Sequence, residues 1–183
     1  MKKVFGIVLG LVAVMALSGC ANKVHDYSVS TDNLIALKSI SKKVKSVNIG
    51  NFTDSERNER STMCRLATPI GTPKGETFAS YIQNALKKEL LISDMYNSAS
   101  STIISANLDK TYGSTTIGNA YWSFDMTLKS SNGGSYKVSS RYDYESSFSA
   151  MSACSEMQRS YPLAVQKLIG KIIKDPKFVT LTK

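Results

Sequence analysis

Two runs of strict alternation constrain this chain more than any other feature. In the first, Ala120, Trp122, Phe124, Met126 and Leu128 alternate with Tyr121, Ser123, Asp125, Thr127 and Lys129. In the second, Tyr136, Val138, Ser140, Tyr142 and Tyr144 alternate with Lys137, Ser139, Arg141, Asp143 and Glu145. Successive side chains of a strand point to opposite faces, so a period of two lays one face on a core and leaves the other wet. Only "SSNGGS" separates the runs, a composition that turns a chain back on itself. The pair is an antiparallel hairpin. A two-residue Asn132-Gly133 loop would oppose Leu128 with Lys137 and carry a lysine to the core face. A three-residue loop, Asn132 to Gly134, instead opposes Leu128 with Val138, Phe124 with Tyr142 and Asp125 with Arg141, with Gly134 taking the positive φ. It also opposes Lys129 with Lys137, a mild cost that water screens. We expect the three-residue loop.

Helical periodicity appears twice. Thr72 is placed to cap a helix, with Pro73 at its first position and Glu76 near its positive end. Phe78, Ile82, Ala85, Leu86 and Glu89 then follow one side, with Lys87 and Lys88 opposite. From about Met151 to Lys174, the residues Tyr161, Ala164, Val165, Leu168, Ile169 and Ile172 form a full apolar face. Pro162 predicts a kink there, or two abutting helices. Lys171 and Lys174 suit the negative helix end, "DPKF" closes it, and "FVTL" adds a short strand or packed tail. Val47 and Ile49 mark a first strand, and Ile104, Ala106 and Leu108 another. Residues 53–75, polar and rich in turn formers, are expected to be a long loop. The order β-α-β-β-β-α favours an α+β fold: a mainly antiparallel sheet of about four strands with two helices on one face.

The chain begins Met1-Lys2-Lys3, followed by fourteen uncharged residues from Val4 to Leu17. Spanning hydrocarbon takes about 20 apolar residues, so the run fits a secretory signal better than a membrane span. It ends on Leu17, Ser18, Gly19 and Cys20, and this "LSGC" resembles the lipobox of bacterial lipoproteins. The resemblance implies that the Cys20 thiol takes a diacylglycerol, that signal peptidase II cuts before it, and that the new amine is acylated. Several acyl chains give stable anchoring where one does not. Ala21, in place of an aspartate, resembles the pattern of outer-membrane lipoproteins. The expected organisation is a signal peptide over 1–19, a lipidated N-terminus and tether over 20–33, and one periplasmic α+β domain over 34–183. "ANKVHDYSVSTDN" reads as tether because it is polar and aperiodic. Over roughly residues 44 to 178, element order and length resemble the small domains of YajG-type lipoproteins and of auxiliary lipoproteins associated with ABC transporters. The chain departs from them in the long loop before its first helix and in its cysteine pair.

Setting Cys20 aside leaves Cys64 and Cys154 of the three cysteines. An oxidising periplasm favours a disulfide between them; two separately buried thiols are the alternative. The formal charge is +9, and loss of Lys2 and Lys3 leaves 21 basic against 14 acidic residues, or +7. Lys38, Lys42, Lys43 and Lys45 cluster between tether and first strand, either to meet anionic headgroups or as a solvated charge run. The compartment argues against nucleic acid, and no recognition motif supports it.

Reactive constellations are not evident. His25, the sole histidine, lies in the expected tether, where nothing would hold it against a catalytic partner. Cys64 and Cys154 have no neighbouring metal ligands in sequence. "SNGGS" lacks the following helix of a phosphate cradle, and no serine sits in a nucleophile context. The expectation is a protein that is not an enzyme and carries no cofactor or metal. Trp122, Phe124, Tyr142 and Tyr144 either fill a core or line a cavity for an acyl chain. Tyr121 with Tyr112 offers an outward patch. Two functions fit: a membrane-anchored accessory or scaffold subunit of an envelope assembly in transport, secretion or wall maintenance, or a carrier for lipid, lipopolysaccharide or glycan.

Overall fold

The computed structural model describes residues 22–55 and 59–183, so the expected signal peptide and the expected lipidation at Cys20 lie outside the described residues. In chain order the elements are β1 (Asn22–Lys23), α1 (Thr31–Ile40), β2 (Asn48–Asp54), β3 (Ser61–Cys64), β4 (Thr68–Gly71) and α2 (Phe78–Ile92). They continue with β5 (Ile103–Thr116), β6 (Asn119–Ser130), β7 (Ser135–Tyr144), α3 (Ala150–Lys174) and α4 (Pro176–Leu181). The fold is α+β. Its main sheet has the order β2-β5-β6-β7, antiparallel except for β2 against β5. Parallel neighbours need a crossover, and α2 supplies it. As expected, α2 and α3 cover one face of this sheet, and α1 lies against both helices.

The alternating runs form the hairpin β6–β7, with Ala120, Trp122, Phe124, Met126 and Leu128 all buried. Its loop has the expected length but is displaced by one residue, to Ser131–Gly133: Leu128 faces Tyr136, Met126 faces Val138 and Phe124 faces Ser140. Both registers keep the same residues inside, so polarity alone does not choose between them. The observed one sets Lys129 against Ser135 and removes the opposition of two lysines. Gly133, not Gly134, takes the positive φ of 91°. Gly134 is instead a close approach, since a Cβ there would stand 2.8 Å from Leu181 Cδ2. The Asn132 amide donates to the Thr180 and Leu181 carbonyls at 3.3 and 3.1 Å. The turn is thus seated on α4, which forms where a short strand or tail was expected.

Aromatic rings fill the space between sheet and helices. Tyr161 of α3 packs edge-on against Trp122, centroids 4.9 Å apart, and touches Phe78 at 5.3 Å and Phe124 at 5.9 Å. All four are essentially inaccessible to solvent. The Trp122 indole N–H donates to the Met157 carbonyl at 3.0 Å and to Ser160 Oγ at 3.1 Å, tying sheet to helix. These rings are core. Pro162 lies buried inside α3, which runs through it as one helix rather than two.

Three further expectations change. Thr77, not Thr72, caps α2, its hydroxyl accepting from the Ser80 N–H at 3.0 Å. Lys74 and Gly75, both at positive φ, break the chain between Thr72 and the helix. The expected loop over 53–75 contains β3 and β4, which pair antiparallel and join β1 in a second sheet of order β1-β4-β3.

The expected tether is also packed from its first described residues. β1 runs parallel to β4, and Val24 and Tyr27 are buried. Glu89, wholly buried on the apolar stripe of α2, explains why. Its Oε1 accepts from the Tyr27 hydroxyl, the Ser30 N–H at 2.9 Å and the Asn33 amide at 3.2 Å. A buried carboxylate needs such donors, and residues 27–33 provide them. Packing therefore begins well before residue 34, and α1 follows at once.

Candidate functional site

The course of residues 23–40 along α3 sets the geometry of the molecule. Gln158 donates to the Lys23 carbonyl, Gln166 to that of Ser28 at 2.8 Å, and Asn33 donates to the Gln166 carbonyl at 3.0 Å. Ala36 and Ile40 then lie in one hollow with Ile173 and Lys183. The N-terminal segment and α3 run the same way, so β1 marks one end of the domain and the end of α1 the other. From Gln158 to Lys174 the helix rises about 24 Å at ~1.5 Å per residue. Exposed Lys38, Lys42, Lys43 and Lys45 follow at the far end, away from the entry of the chain.

A groove of about 740 Å³ opens between α1, α3 and β7. Lys137, Lys167, Lys171 and Lys174 rim it, and Val138, Tyr142 and Leu163 contribute apolar surface. Lys171 is held by its bond to the Ser139 carbonyl at 2.9 Å, and the Lys167 ammonium stands 5.9 Å from the Tyr142 ring centre. Asp32 and Asp175 also border the groove, so its formal charge is positive. Asp175 is engaged as the cap of α4, accepting from the Lys177 N–H at 2.8 Å. The arrangement offers ammonium groups over an apolar floor, which suits an acidic ligand with some apolar surface. Lys167, Lys171 and Lys174 recur at helical spacing, a signal that could have marked one face, although only Lys171 and Lys174 were read from the sequence, as suiting the helix end; Lys137 joins them only through the position of β7.

The other expected residues separate clearly. Cys64 and Cys154 form a disulfide, Cα atoms 5.7 Å apart, joining the end of β3 to the first turns of α3. His25 is exposed, and its carbonyl accepts from the Tyr81 hydroxyl at 2.8 Å. Tyr112 and Tyr121 do come together on the open sheet face at 5.8 Å, with the Arg141 guanidinium 3.5 Å over the Tyr121 ring. Among the described residues, no group of His, Cys, Asp and Glu is placed to hold a metal ion. No helix among them is long and apolar enough to cross a membrane.

No protein-family model matches the chain, and no curated protein does. Among solved structures it is similar to the hypothetical protein CT253 of Chlamydia trachomatis, with a TM-score of 0.49 and 11% identity over 74% of this chain and 98% of that one. It is also similar to a protein of Caulobacter crescentus proposed to be a lipoprotein, with a TM-score of 0.40 and 14% identity over 81% of this chain and 93% of the other.

Proposed function

We propose that this chain is a lipid-anchored lipoprotein of the bacterial cell envelope, held to the outer membrane through Cys20. Its α+β domain acts as a non-catalytic accessory or scaffold subunit that receives an acidic segment of a protein partner. The observation that carries this reading is the groove rimmed by Lys137, Lys167, Lys171 and Lys174. Clustered like charges raise the local concentration of an oppositely charged partner and orient its approach. The anchor is supported by the apolar run closing on "LSGC".

Crosslinking in intact membranes followed by purification tests the reading. Wild-type protein is expected to bring down a discrete partner, and K137E/K174E to lose it while keeping the wild-type circular dichroism. A solitary wild-type protein would count against it, as would a variant that retains the partner.

The same groove supports a second reading, a carrier for the acidic head of a lipid, lipopolysaccharide or glycan. The packed rings between sheet and helices oppose an interior acyl cavity, so such a ligand would lie in the open groove. Native mass spectrometry of the form beginning at Ala21 distinguishes the two, because a carrier retains a non-protein ligand.

A further inference from the structure

The end of the domain where β1 begins carries an unusual set of side chains. Leu66 is 92% exposed, Phe148 88% and Met151 84%, far beyond what a core-forming residue of these types shows elsewhere in the molecule. They are brought together by fixed chemistry. Leu66 sits in the turn two residues after Cys64, and Met151 lies one helical turn before Cys154, to which Cys64 is bonded. Arg65 reaches across to donate to the Phe148 carbonyl at 2.8 Å and to the Ser147 carbonyl, and lies 3.5 Å from that of Thr115. Ile117, two residues past Thr115, is exposed at the same end.

The turn itself is strained. Arg65 and Leu66 both hold positive φ, 48° and 58°, where glycine or asparagine is the usual choice. A leucine forced into that conformation to face water gains nothing for the fold. Such outliers persist where the surroundings over-determine them, and they cluster at functional sites.

Strand direction says what faces this end. β1 is parallel to β4, with Asn22 opposite Ile70 and Lys23 opposite Gly71. β4 leaves the Arg65-Leu66 turn, so the first residue of β1 lies on the side of β4 toward that turn. Cys20 is two residues before Asn22, a reach of at most roughly 7 Å. Apolar side chains at the end of the domain from which an acylated chain would extend face the bilayer holding its acyl chains.

We infer that Leu66, Phe148 and Met151 form a second, non-covalent membrane contact, inserting at the boundary between headgroups and acyl chains. The inference rests on the lipidation of Cys20 proposed above. An interfacial contact of this kind is driven by buried apolar area and fixes the tilt of the domain on the surface.

Tryptophan depth quenching in the full lipidated protein tests it, since the native Trp122 is wholly buried and contributes a constant background. F148W and M151W are made separately, with I35W on the exposed side of α1 as the reference. Each is reconstituted in phosphatidylethanolamine–phosphatidylglycerol vesicles with and without acyl-brominated lipid. We expect blue-shifted emission from F148W and M151W, quenched several-fold more strongly than that of I35W. The intact mass of each purified chain reports the acyl groups. A chain without them overturns the proposed anchor, and this contact with it. An acylated chain whose three variants are quenched alike overturns the contact alone. The same holds if Phe148 and Met151 crosslink to a protein and remain unquenched, because the surface then belongs to a partner.

Discussion

Trp122 ties the sheet to α3 just before the helix loses a backbone donor. Pro162 has no N–H, so the Gln158 carbonyl four residues back loses its helical donor. The Trp122 indole bonds the neighbouring Met157 carbonyl and Ser160 Oγ, pinning the helix to the sheet beside that gap. Trp122→Phe keeps most of the ring and removes the donor, so we expect a loss of about 1–3 kcal/mol, read as a lower urea midpoint at constant slope. The tyrosines make a different point about single residues. Burial pushes the Tyr27, Tyr81, Tyr136, Tyr144 and Tyr161 phenols above their ordinary value, and Glu89 raises Tyr27 further. A raised folded value means the fold favours the neutral phenol. The contribution is complete below the unfolded value of about 10, and is lost as pH climbs above it because the unfolded chain ionises first. Alkaline titration should therefore show the phenolate absorbance of these five arriving with unfolding, as a step; a gradual rise with the fold intact would contradict it.

Elements with a long, regular period were legible in the sequence, and those made by tertiary demand were not. The β6–β7 hairpin and the apolar faces of α2 and α3 repeat often enough to identify both type and buried side. α1 has a weak stripe, with Asn33 and Leu37 buried, and its place depends on Glu89, a residue on another helix. β3 and β4 are four residues each, too short for alternation to stand out from the polar loop around them. The hairpin register failed for a related reason: two registers buried the same face, and α4, which seats the turn, carries no period of its own. The cysteines were readable as a pair, yet the groove was not, because it needs β7 beside α3. The disulfide joins elements 90 residues apart. The chain-entropy model assigns such a loop roughly 4–5 kcal/mol as an upper figure. C64S/C154S should unfold at clearly lower urea, with faster amide exchange over Ser61–Gly71 than over β5 and β6. Equal exchange in both regions would mean that the bridge supports the whole body rather than its small sheet.

At the scale of the whole molecule, charge and apolar surface separate toward opposite ends. Leu66, Phe148 and Met151 stand at the end where β1 begins, while Lys38 in the last turn of α1 and Lys42, Lys43 and Lys45 after it stand at the other. A lysine cluster exerts little force on a charged surface beyond a Debye length, about 8–10 Å in physiological salt. Reversing all four lysines to glutamate should therefore leave the lipidated protein on phosphatidylglycerol-containing vesicles, as measured by flotation. Release of that variant would show that the far end also meets the membrane. The groove lies along the C-terminal half of α3, nearer the lysine end than the start of β1.

The early start of β1 also bears on how long such a protein stays where it is put. Lys23 is exposed, but its carbonyl is bonded to Gln158 and the next N–H donates to Gly71 at 2.8 Å. A protease needs several extended, unpaired residues in its cleft, and the stretch from Asn22 to Val24 offers none without peeling away from the sheet. With the anchor proposed at Cys20, the described backbone from Asn22 to Val24 leaves a protease no unpaired stretch to cut, so release of the domain is expected to follow unfolding rather than a clip within that stretch.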